Sequence, residues 1–463
     1  GARGKPAQLM RSVTTPTAVV NDQDQTIPWL ISKSYAEGLK PADSWIAVGE
    51  ARRNAIETYT SVAAPGEMSK VLVNNMSDQI ITMLDCGTKN GLVMQVDDPS
   101  IIDRYRADDG TLITARNKPK SGNIRVRSPM TCEAPDGVCQ KCYGLDTKGA
   151  VPRLGHNVGM IAAHAMGEPL TQMALSAKHA TRTAEKQKAV LKGLSGFKQI
   201  TEIPQSFFNK ATLASQQGMV TNIKRAPQGG HYVNINENEH YIPPNLNVIV
   251  QKGTQVNAGD ALSEGIPKPD EVIRYKGLGV GRKYLADTLH DIYQRTGVDI
   301  DKRHFEILAK TDLNYIRMLD KDSPNFGVLK GDIVDYNRFR KQLNSKIKIV
   351  PLQEAMGQYL GNSLLHHTAG VLITPTMIND FKTAGITQVP IVPEIPLFEP
   401  VMKPISRTPL LYPDFLAKLG HRNLKNVILE GAAFGEMANI HGTHPVPAFV
   451  FGEEFGLGPQ GRY

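Results

Sequence analysis

Residues 155–181 read GHNVGMIAAHAMGEPLTQMALSAKHAT. Apolar side chains recur in this stretch at intervals of three and four residues, which predicts one long helix. Gln172, Leu175 and His179 stand at positions i, i+3 and i+7, so on a helix they share a face and could meet a single ligand. The simpler alternative for a lone histidine is a solvent-facing residue of an amphipathic helix.

The same stretch resembles the trigger loop of the largest subunit, β-prime, of bacterial-type RNA polymerases, whose motif reads G-x-x-x-G-x-I-A-A-x-x-x-G-E-P-x-T-Q. The matching residues are Gly155, Gly159, Ile161, Ala162, Ala163, Gly167, Glu168, Pro169, Thr171 and Gln172. The resemblance implies that Leu175 packs on the incoming base and that His179 lies near the triphosphate. The family usually has an arginine after the base-packing residue and an aromatic residue before the histidine. This chain has Ser176 and Lys178 there, so Lys178 and Arg182 become the candidate phosphate contacts.

The chain has four cysteines, Cys86, Cys132, Cys139 and Cys142, and the last three follow the spacing C-x6-C-x2-C. Four thiolates with a terminal C-x2-C suit a tetrahedral structural Zn²⁺ site. Disulfides are the alternative, and they are less expected because no secretion signal opens the chain. The β-prime family carries one such cysteine in D-C-G-T and three in C-x6-C-x2-C-Y-G, which also implies zinc.

Composition indicates a folded protein of several domains, with 463 residues, 41% hydrophobic and 21% charged. The net charge of +8 suits a nucleic-acid partner without requiring one. No apolar run approaches the length of a membrane span. We therefore expect no membrane partner and a cytoplasmic setting, that of a bacterial host if the protein is encoded by a phage.

The order of the resemblances predicts a multidomain α+β fold in six segments. These are a loop supporting the bridge helix (1–33), the bridge helix (34–78), a four-cysteine zinc-binding module (79–152), a trigger-loop helical hairpin (153–200), a small β-barrel-like module (201–275) and a mainly helical C-terminal clamp-like region (276–463). The resemblance implies nucleic-acid contacts at Arg3, Gln8, Arg52, Arg53 and Lys70.

Three local patterns give further expectations. Pro65 predicts that the bridge helix kinks or ends early near Ala64, because proline removes an intrahelical hydrogen bond. The alternation in 124–127 predicts a strand whose apolar and basic residues face opposite sides. The glycines of 277–281 miss the spacing of a dinucleotide-binding loop and are interpreted as a turn.

The sequence lacks the N-A-D-F-D-G-D loop whose three aspartates hold the catalytic Mg²⁺ in the β-prime family. Its Asp-x-Asp pairs, 22/24, 299/301 and 320/322, lack a third carboxylate and are interpreted as exposed polar residues. Two-metal phosphoryl transfer needs oxygen ligands for both ions, so this chain alone should not polymerise nucleotides. We expect the Mg²⁺ ligands on a partner chain, an N-terminal β-prime fragment, as in the divided subunits of giant bacteriophages.

The predicted function is that of a C-terminal β-prime fragment within a DNA-dependent RNA polymerase. Its partners would be the N-terminal fragment, β-like chains, a promoter-recognition factor, the DNA template, the RNA product and nucleoside triphosphates. The alternative is a zinc-containing transcription regulator that binds or mimics the polymerase. The ordered series of six segments favours the polymerase, since a mimic would need only one or two of them.

Overall fold

A computed structural model describes residues 6–453 except 17, 20, 22–24, 181–190, 192, 320–328, 344–346, 393–396 and 413. In these described ranges the helices are α1 (Pro6–Val13), α2 (Pro41–Ser61), α3 (Ala63–Met76), α4 (Gln140–Tyr143), α5 (Val158–Ala180), α6 (Gly193–Glu202), α7 (Pro269–Gln294), α8 (Lys302–Asp312), α9 (Tyr336–Leu343), α10 (Pro375–Thr383), α11 (Leu424–Phe434) and α12 (Pro445–Phe451). None of the described helices is both long and apolar enough to cross a bilayer.

The strands are short and form five separate sheets within the described part of the chain. They are β1 (Ile81–Met83), β2 (Leu92–Gln95), β3 (Asn123–Val126), β4 (Val138–Cys139), β5 (Gly218–Arg225), β6 (His231–Ile235), β7 (Asn238–Ile242), β8 (Gln255–Val256), β9 (Tyr315–Met318), β10 (Ile333–Asp335), β11 (Lys348–Pro351), β12 (Tyr359–Leu360), β13 (Gln388–Val392) and β14 (Phe398–Val401). The mixture of helices and sheets agrees with the predicted α+β class.

The chain divides into two compact units, and helix α5 passes from one into the other. The first unit contains residues 1–67 and 171–183, and the second contains 68–170 and 184–463. In the first unit, Val19, Ile31 and Ala47 form a small apolar cluster. There Trp29 Nε1 also donates a hydrogen bond of 2.8 Å to Asp43 Oδ1.

The predicted bridge-helix segment contains two helices rather than one. Of these two, helix α2 begins at Pro41 and not at residue 34, because proline fits the first helical position. Residue 34 instead lies in a turn, where the Glu37 carboxylate accepts hydrogen bonds from the Ser34 N–H and hydroxyl. Helix α2 ends at Ser61 and α3 starts at Ala63. The interruption expected near Ala64 is confirmed. Pro65 lies in the first turn of α3, where backbone N–H groups have no partner within the helix, so its missing N–H costs no helical hydrogen bond.

Short sheets divide the second unit into local cores. Strand β1 pairs with β4 in parallel, and β2 pairs with β3 in an antiparallel ladder. Strands β7, β6, β5 and β8 form a four-stranded sheet in that order. The inner faces of this sheet bury Val220, Val233 and Ile235, which gives the segment predicted as a small barrel its own apolar core.

The C-terminal region contains two three-stranded sheets that the mainly helical prediction omitted. Their strand orders are β10-β9-β14 and β11-β13-β12. The second sheet packs on α10 through a cluster that includes Leu360, Phe381 and Val389. These strands have two to five residues each, too few to display a clear period in the sequence.

The glycine-rich stretch 277–281 lies inside helix α7, so its interpretation as a turn is wrong beyond its first residue. Gly277 alone is non-helical, at φ 82° and ψ 169°, and it divides α7 at a kink. A Cβ atom on Gly279 would lie 1.7 Å from the His366 carbonyl oxygen. Close approach of another backbone, rather than a reversal of the chain, accounts for that glycine.

Candidate metal centre and catalytic helix

The four cysteines converge from four pieces of local structure. Cys86 follows β1, Cys132 ends a short 3-10 helix, Cys139 ends β4, and Cys142 lies in α4. Parallel pairing of β1 with β4 brings the first cysteine beside the C-x2-C pair. All four thiols are free, and their sulfur atoms lie within 4.8 Å of one another.

The sulfur positions fit a tetrahedral metal ion. The Cys86 Sγ to Cys142 Sγ distance is 3.7 Å, and the Cys86 Sγ to Cys132 Sγ distance is 3.8 Å. A tetrahedron with metal–sulfur bonds of about 2.3 Å has sulfur–sulfur edges of about 3.8 Å. Burial raises the pKa of the Cys142 thiol well above its usual value. A bound cation would supply the charge that favours the thiolates at this buried position.

Hydrogen-bond donors surround these sulfurs. The backbone N–H of Cys142 points to Cys139 Sγ at 3.3 Å, and that of Cys139 points to Cys132 Sγ at 3.4 Å. Arg127 Nη2 lies 3.3 Å from Cys86 Sγ and 2.7 Å from Asp85 Oδ1. Such outer donors hold metal ligands in place and compensate thiolate charge.

Arg127 corrects one expectation from the sequence. In β3, Ile124 and Val126 are buried while Arg125 is half-exposed, as the alternation predicted. Arg127 follows the end of the strand and is only 4% exposed. Its guanidinium faces the sulfur atoms and the Asp85 carboxylate instead of solvent, because these partners are brought together by the fold and a pattern of polarity does not reveal them.

Helix α8 joins the cysteine segment through a buried charged network that the sequence analysis missed. Arg104 and Glu306 are 1% and 0% exposed and form two hydrogen bonds of 2.7 and 2.8 Å. Ser128 Oγ donates to the same carboxylate at 2.6 Å, and Lys310 Nζ donates to the Gly137 carbonyl at 2.6 Å. The charged residues of α8 are spaced so that they share one face of the helix, a pattern that normally indicates a solvent-exposed face.

The base of α5 is fixed by close backbone contacts with α3 and the turn after it. Asn157 caps the helix, since its Oδ1 accepts the Met160 N–H at 2.8 Å, while its Nδ2 donates to the Ser77 carbonyl at 2.8 Å. A Cβ on Gly159 would lie 1.8 Å from the Met76 carbonyl oxygen, and one on Gly167 would lie 2.7 Å from Ser69 Oγ. Two glycines of the motif are therefore required by packing.

The motif residues beyond the base lie on the same continuous helix. Gln172, Leu175 and His179 all fall within α5, and Gln172 is exposed. The prediction of one long helix that contains these three residues is confirmed. The side chains of 175–180, including Lys178, and the whole of Arg182 lie outside the described residues.

The expected nucleic-acid contacts occupy different helices. Arg52 and Lys70 are exposed on α2 and α3, and Arg53 is half-buried, with Nη1 donating to the Asn21 carbonyl at 3.1 Å. Gln8 lies in α1, and Arg3 lies outside the described residues. Helix α2 also exposes large apolar side chains at helical spacing around Arg52. These are Trp45, Val48, Ile56 and Tyr59.

The Asp-x-Asp pairs were expected to be exposed polar residues, and Asp301 departs from that expectation. Asp299 is exposed, but Asp301 is half-buried, caps the N-terminus of α8 and pairs with Arg303. The Arg303 hydrogen bonds and charge outweigh the effect of burial and lower the pKa of Asp301. The pairs 22/24 and 320/322 lie outside the described residues.

A second group with metal-ligand chemistry lies near α10 and was not noticed in the sequence. His366, His367 and Asp380 bring their ligand atoms within 4.8 Å, and His367 Nε2 lies 2.9 Å from Asp380 Oδ2. Arg282, Lys310 and Arg340 line the pocket beside the two histidines. Because these cations oppose a further positive charge, the cysteine cluster is the stronger candidate for a metal centre.

Comparison with known proteins gives a consistent result. The model of the family "RNA polymerase Rpb1, domain 5" matches residues 38–326. The chain is 29% identical over 421 residues to the DNA-directed RNA polymerase subunit beta' of Caldicellulosiruptor saccharolyticus, which covers 84% of this chain and 35% of the relative. The corresponding subunit of Clostridium botulinum is 27% identical over 423 residues, covering 84% and 35%. That of a Nocardioides species is 26% identical over 390 residues, covering 74% and 29%. The chain thus spans about a third of the length of these relatives.

Proposed function

Because this chain belongs to the RNA polymerase Rpb1 domain 5 family, we propose that it is the C-terminal part of the β-prime subunit of a DNA-directed RNA polymerase. In this role α5 is the trigger helix, which closes over the incoming nucleoside triphosphate. The supporting observation is that the two parts of α5 differ. Glycines 159 and 167 pack its base tightly on α3, while Gln172, Leu175 and His179 follow on the same helix beyond that base.

In this proposal each residue beyond the base has a separate task. Leu175 packs on the base of the incoming nucleotide, and His179 donates a hydrogen bond to the pyrophosphate leaving group. Gln172 lies on the same helical face, three residues before Leu175. Because Ser176 and Lys178 replace the family's usual residues, Lys178 and Arg182 carry the phosphate contacts.

The cysteine cluster holds a structural Zn²⁺ in this account. Free thiols at tetrahedral spacing, two of them linked by the C-x2-C turn, are the usual donors for this ion. All four positions are taken by sulfur, so the ion has no open position for substrate. Its task is to tie β1, β4 and α4 together beside the buried network of α8.

Helices α2 and α3 are proposed as the bridge helix, which faces the nucleic acid. The exposed Arg52 and Lys70 supply positive charge for phosphates, and Arg53 supports the segment before α2. Arg3 and Gln8 are proposed as further nucleic-acid contacts. The exposed apolar side chains of α2 support the proposal that a partner covers this helix, since contiguous apolar stripes mark interaction surfaces.

The catalytic Mg²⁺ ions are held by carboxylates outside residues 1–463, because the aspartate loop of the family is absent from this sequence. We propose that those carboxylates lie in the N-terminal part of β-prime, and that β-like chains and a promoter-recognition factor complete the enzyme. The assembly works in the cytoplasm of the bacterial host.

Single-nucleotide addition by the assembled enzyme tests the role of α5. His179→Ala should slow the addition step about 10²–10³-fold at saturating substrate, the range for removing one positioned donor at a developing charge. His179→Gln should recover much of that loss if the role is positional. His164→Ala, an exposed histidine on the same helix, is the matched control and should keep the wild-type rate. A wild-type rate for His179→Ala would overturn the assignment of α5.

A further inference from the structure

Tyr293 of α7 contacts both helices that flank residues 181–192. Its side chain is fully buried, and its hydroxyl donates a hydrogen bond of 2.8 Å to the carbonyl oxygen of Met166 in α5. Its ring packs edge-on against Phe197 of α6, at 6.2 Å between centroids, and against Phe305 of α8, at 5.1 Å. One side chain therefore links the base of α5 to α6 and to the helix that borders the cysteine segment.

The hydrogen bond reaches α5 where that helix is intrinsically weak. Pro169 lies inside α5 and has no N–H, so the carbonyl of Ala165 loses its regular helical donor. A proline inside a helix also favours a bend at the preceding turn. Met166 is in that turn, and the boundary between the two compact units falls just after it, at Leu170 and Thr171. Tyr293 thus holds the last turn of α5 that belongs to the second unit.

We propose that Tyr293 is a positioning residue for nucleotide addition, which holds the turn of α5 before Pro169, the turn from which the helix continues to Leu175 and His179. This inference rests on the proposed function of α5. The hydroxyl acts as a neutral donor. Burial raises the pKa of the phenol far above its usual value, so the donor is present across the working pH range.

Tyr293→Phe tests the hydroxyl alone, because the ring contacts with α6 and α8 remain. The chain offers a matched control, since Tyr336 is also buried and its hydroxyl donates to the Ala369 carbonyl at 3.0 Å, away from α5. Both variants lose one buried hydrogen bond to a backbone carbonyl. Their thermal stabilities should therefore fall by similar amounts, and only Tyr293→Phe should affect α5.

Two measurements separate the variants. In the assembled enzyme, Tyr293→Phe should lower the maximal rate of single-nucleotide addition about 3- to 10-fold, the factor expected for one lost hydrogen bond, and should change the apparent substrate requirement less. In the isolated chain, amide hydrogen exchange of a peptide covering residues 163–174 should be faster in Tyr293→Phe than in the wild type. Tyr336→Phe should leave both quantities unchanged.

Pro169→Ala supplies a second test that does not depend on the assembled enzyme. The alanine N–H restores the donor for the Ala165 carbonyl, so this change should recover slow exchange in 163–174 when added to Tyr293→Phe. Unchanged exchange in Tyr293→Phe, or equal slowing of addition by Tyr293→Phe and Tyr336→Phe, would overturn the inference.

The His179→Ala result keeps the two claims distinguishable. If His179→Ala slows addition while Tyr293→Phe behaves like Tyr336→Phe in both measurements, the positioning role fails and the proposed function of α5 stands. If His179→Ala adds nucleotides at the wild-type rate, the proposed function of α5 fails, and the positioning role of Tyr293 in nucleotide addition fails with it.

Discussion

In the cysteine cluster, four side chains separated by up to 56 residues of sequence meet within 4.8 Å, whereas in α5 the three motif residues simply follow one another along a helix. The cluster contains every donor that its proposed ion needs. Helix α5 contains only one side of a site, and its proposed partners, the nucleotide and the carboxylates, come from elsewhere. The first region contains its full set of donors, and under the proposed function the second acquires its chemistry only on assembly.

The two regions are also fixed by different forces. The cysteine segment is joined to α8 by buried charges, above all the Arg104–Glu306 pair. The base of α5 is fixed by the absence of side chains at Gly159 and Gly167, which lets the Met76 backbone and the Ser69 side chain of α3 approach closely. A change in the cysteine segment should therefore alter folding, while a change beyond the base of α5 should alter nucleotide addition and leave folding intact.

The largest expected effect is the loss of the metal in Cys142→Ser. Structural zinc contributes on the order of 10 kcal/mol to the folding of such modules, and this energy depends on the full set of ligands. A site that keeps only three thiolates should lose its ion to a weak chelator and hold less than about a tenth of an equivalent after dialysis. Elemental analysis of the purified chain measures this quantity. Lys148→Gln changes an exposed lysine in the turn after α4 and should retain one equivalent. Full zinc retention in Cys142→Ser would contradict the four-sulfur site.

An intermediate effect is expected for Glu306→Gln, which leaves the buried Arg104 without its charged partner. Breaking a buried pair in this way typically costs about 3–5 kcal/mol of folding free energy. Denaturant unfolding followed by circular dichroism gives the difference from the wild type. The comparison variant is Glu399→Gln, whose partner Arg317 is 39% exposed, and its cost should stay below about 1 kcal/mol. Equal costs for the two variants would remove the special role of the α8 network.

The smallest effect is expected for Leu175→Ala, which removes apolar contact with the incoming base. The apparent substrate requirement should rise about ten-fold, as expected for a shortened apolar contact, with little change in the maximal rate or in thermal stability. Leu372→Ala makes the same substitution at an exposed position outside α5 and serves as the control. A fall in stability without a change in substrate requirement would mean that Leu175 belongs to the core.

The sequence predicted the convergence of the four cysteines well because the spacing of three of them carries the geometry. The pattern C-x6-C-x2-C brings three sulfurs together locally, and only the approach of Cys86 required the β1–β4 pairing. The pattern could not predict the burial of Arg127 or Glu306, since charged residues at helical spacing usually face water. The sheets near the C-terminus escaped prediction for another reason. Strands of two to five residues are stabilised by long-range partners, and these leave no local period.

Reconstitution of the complete enzyme tests the central claim, that this chain supplies the trigger helix while other residues supply the carboxylates. The native complex would be purified through a tag on this chain, assayed for template-directed RNA synthesis and then separated into its components. We expect RNA synthesis by the complex, none by isolated residues 1–463 at any Mg²⁺ concentration, recovery on mixing, and an aspartate loop elsewhere in the complex. RNA synthesis by isolated residues 1–463, or an active complex that contains no such loop, would contradict the account.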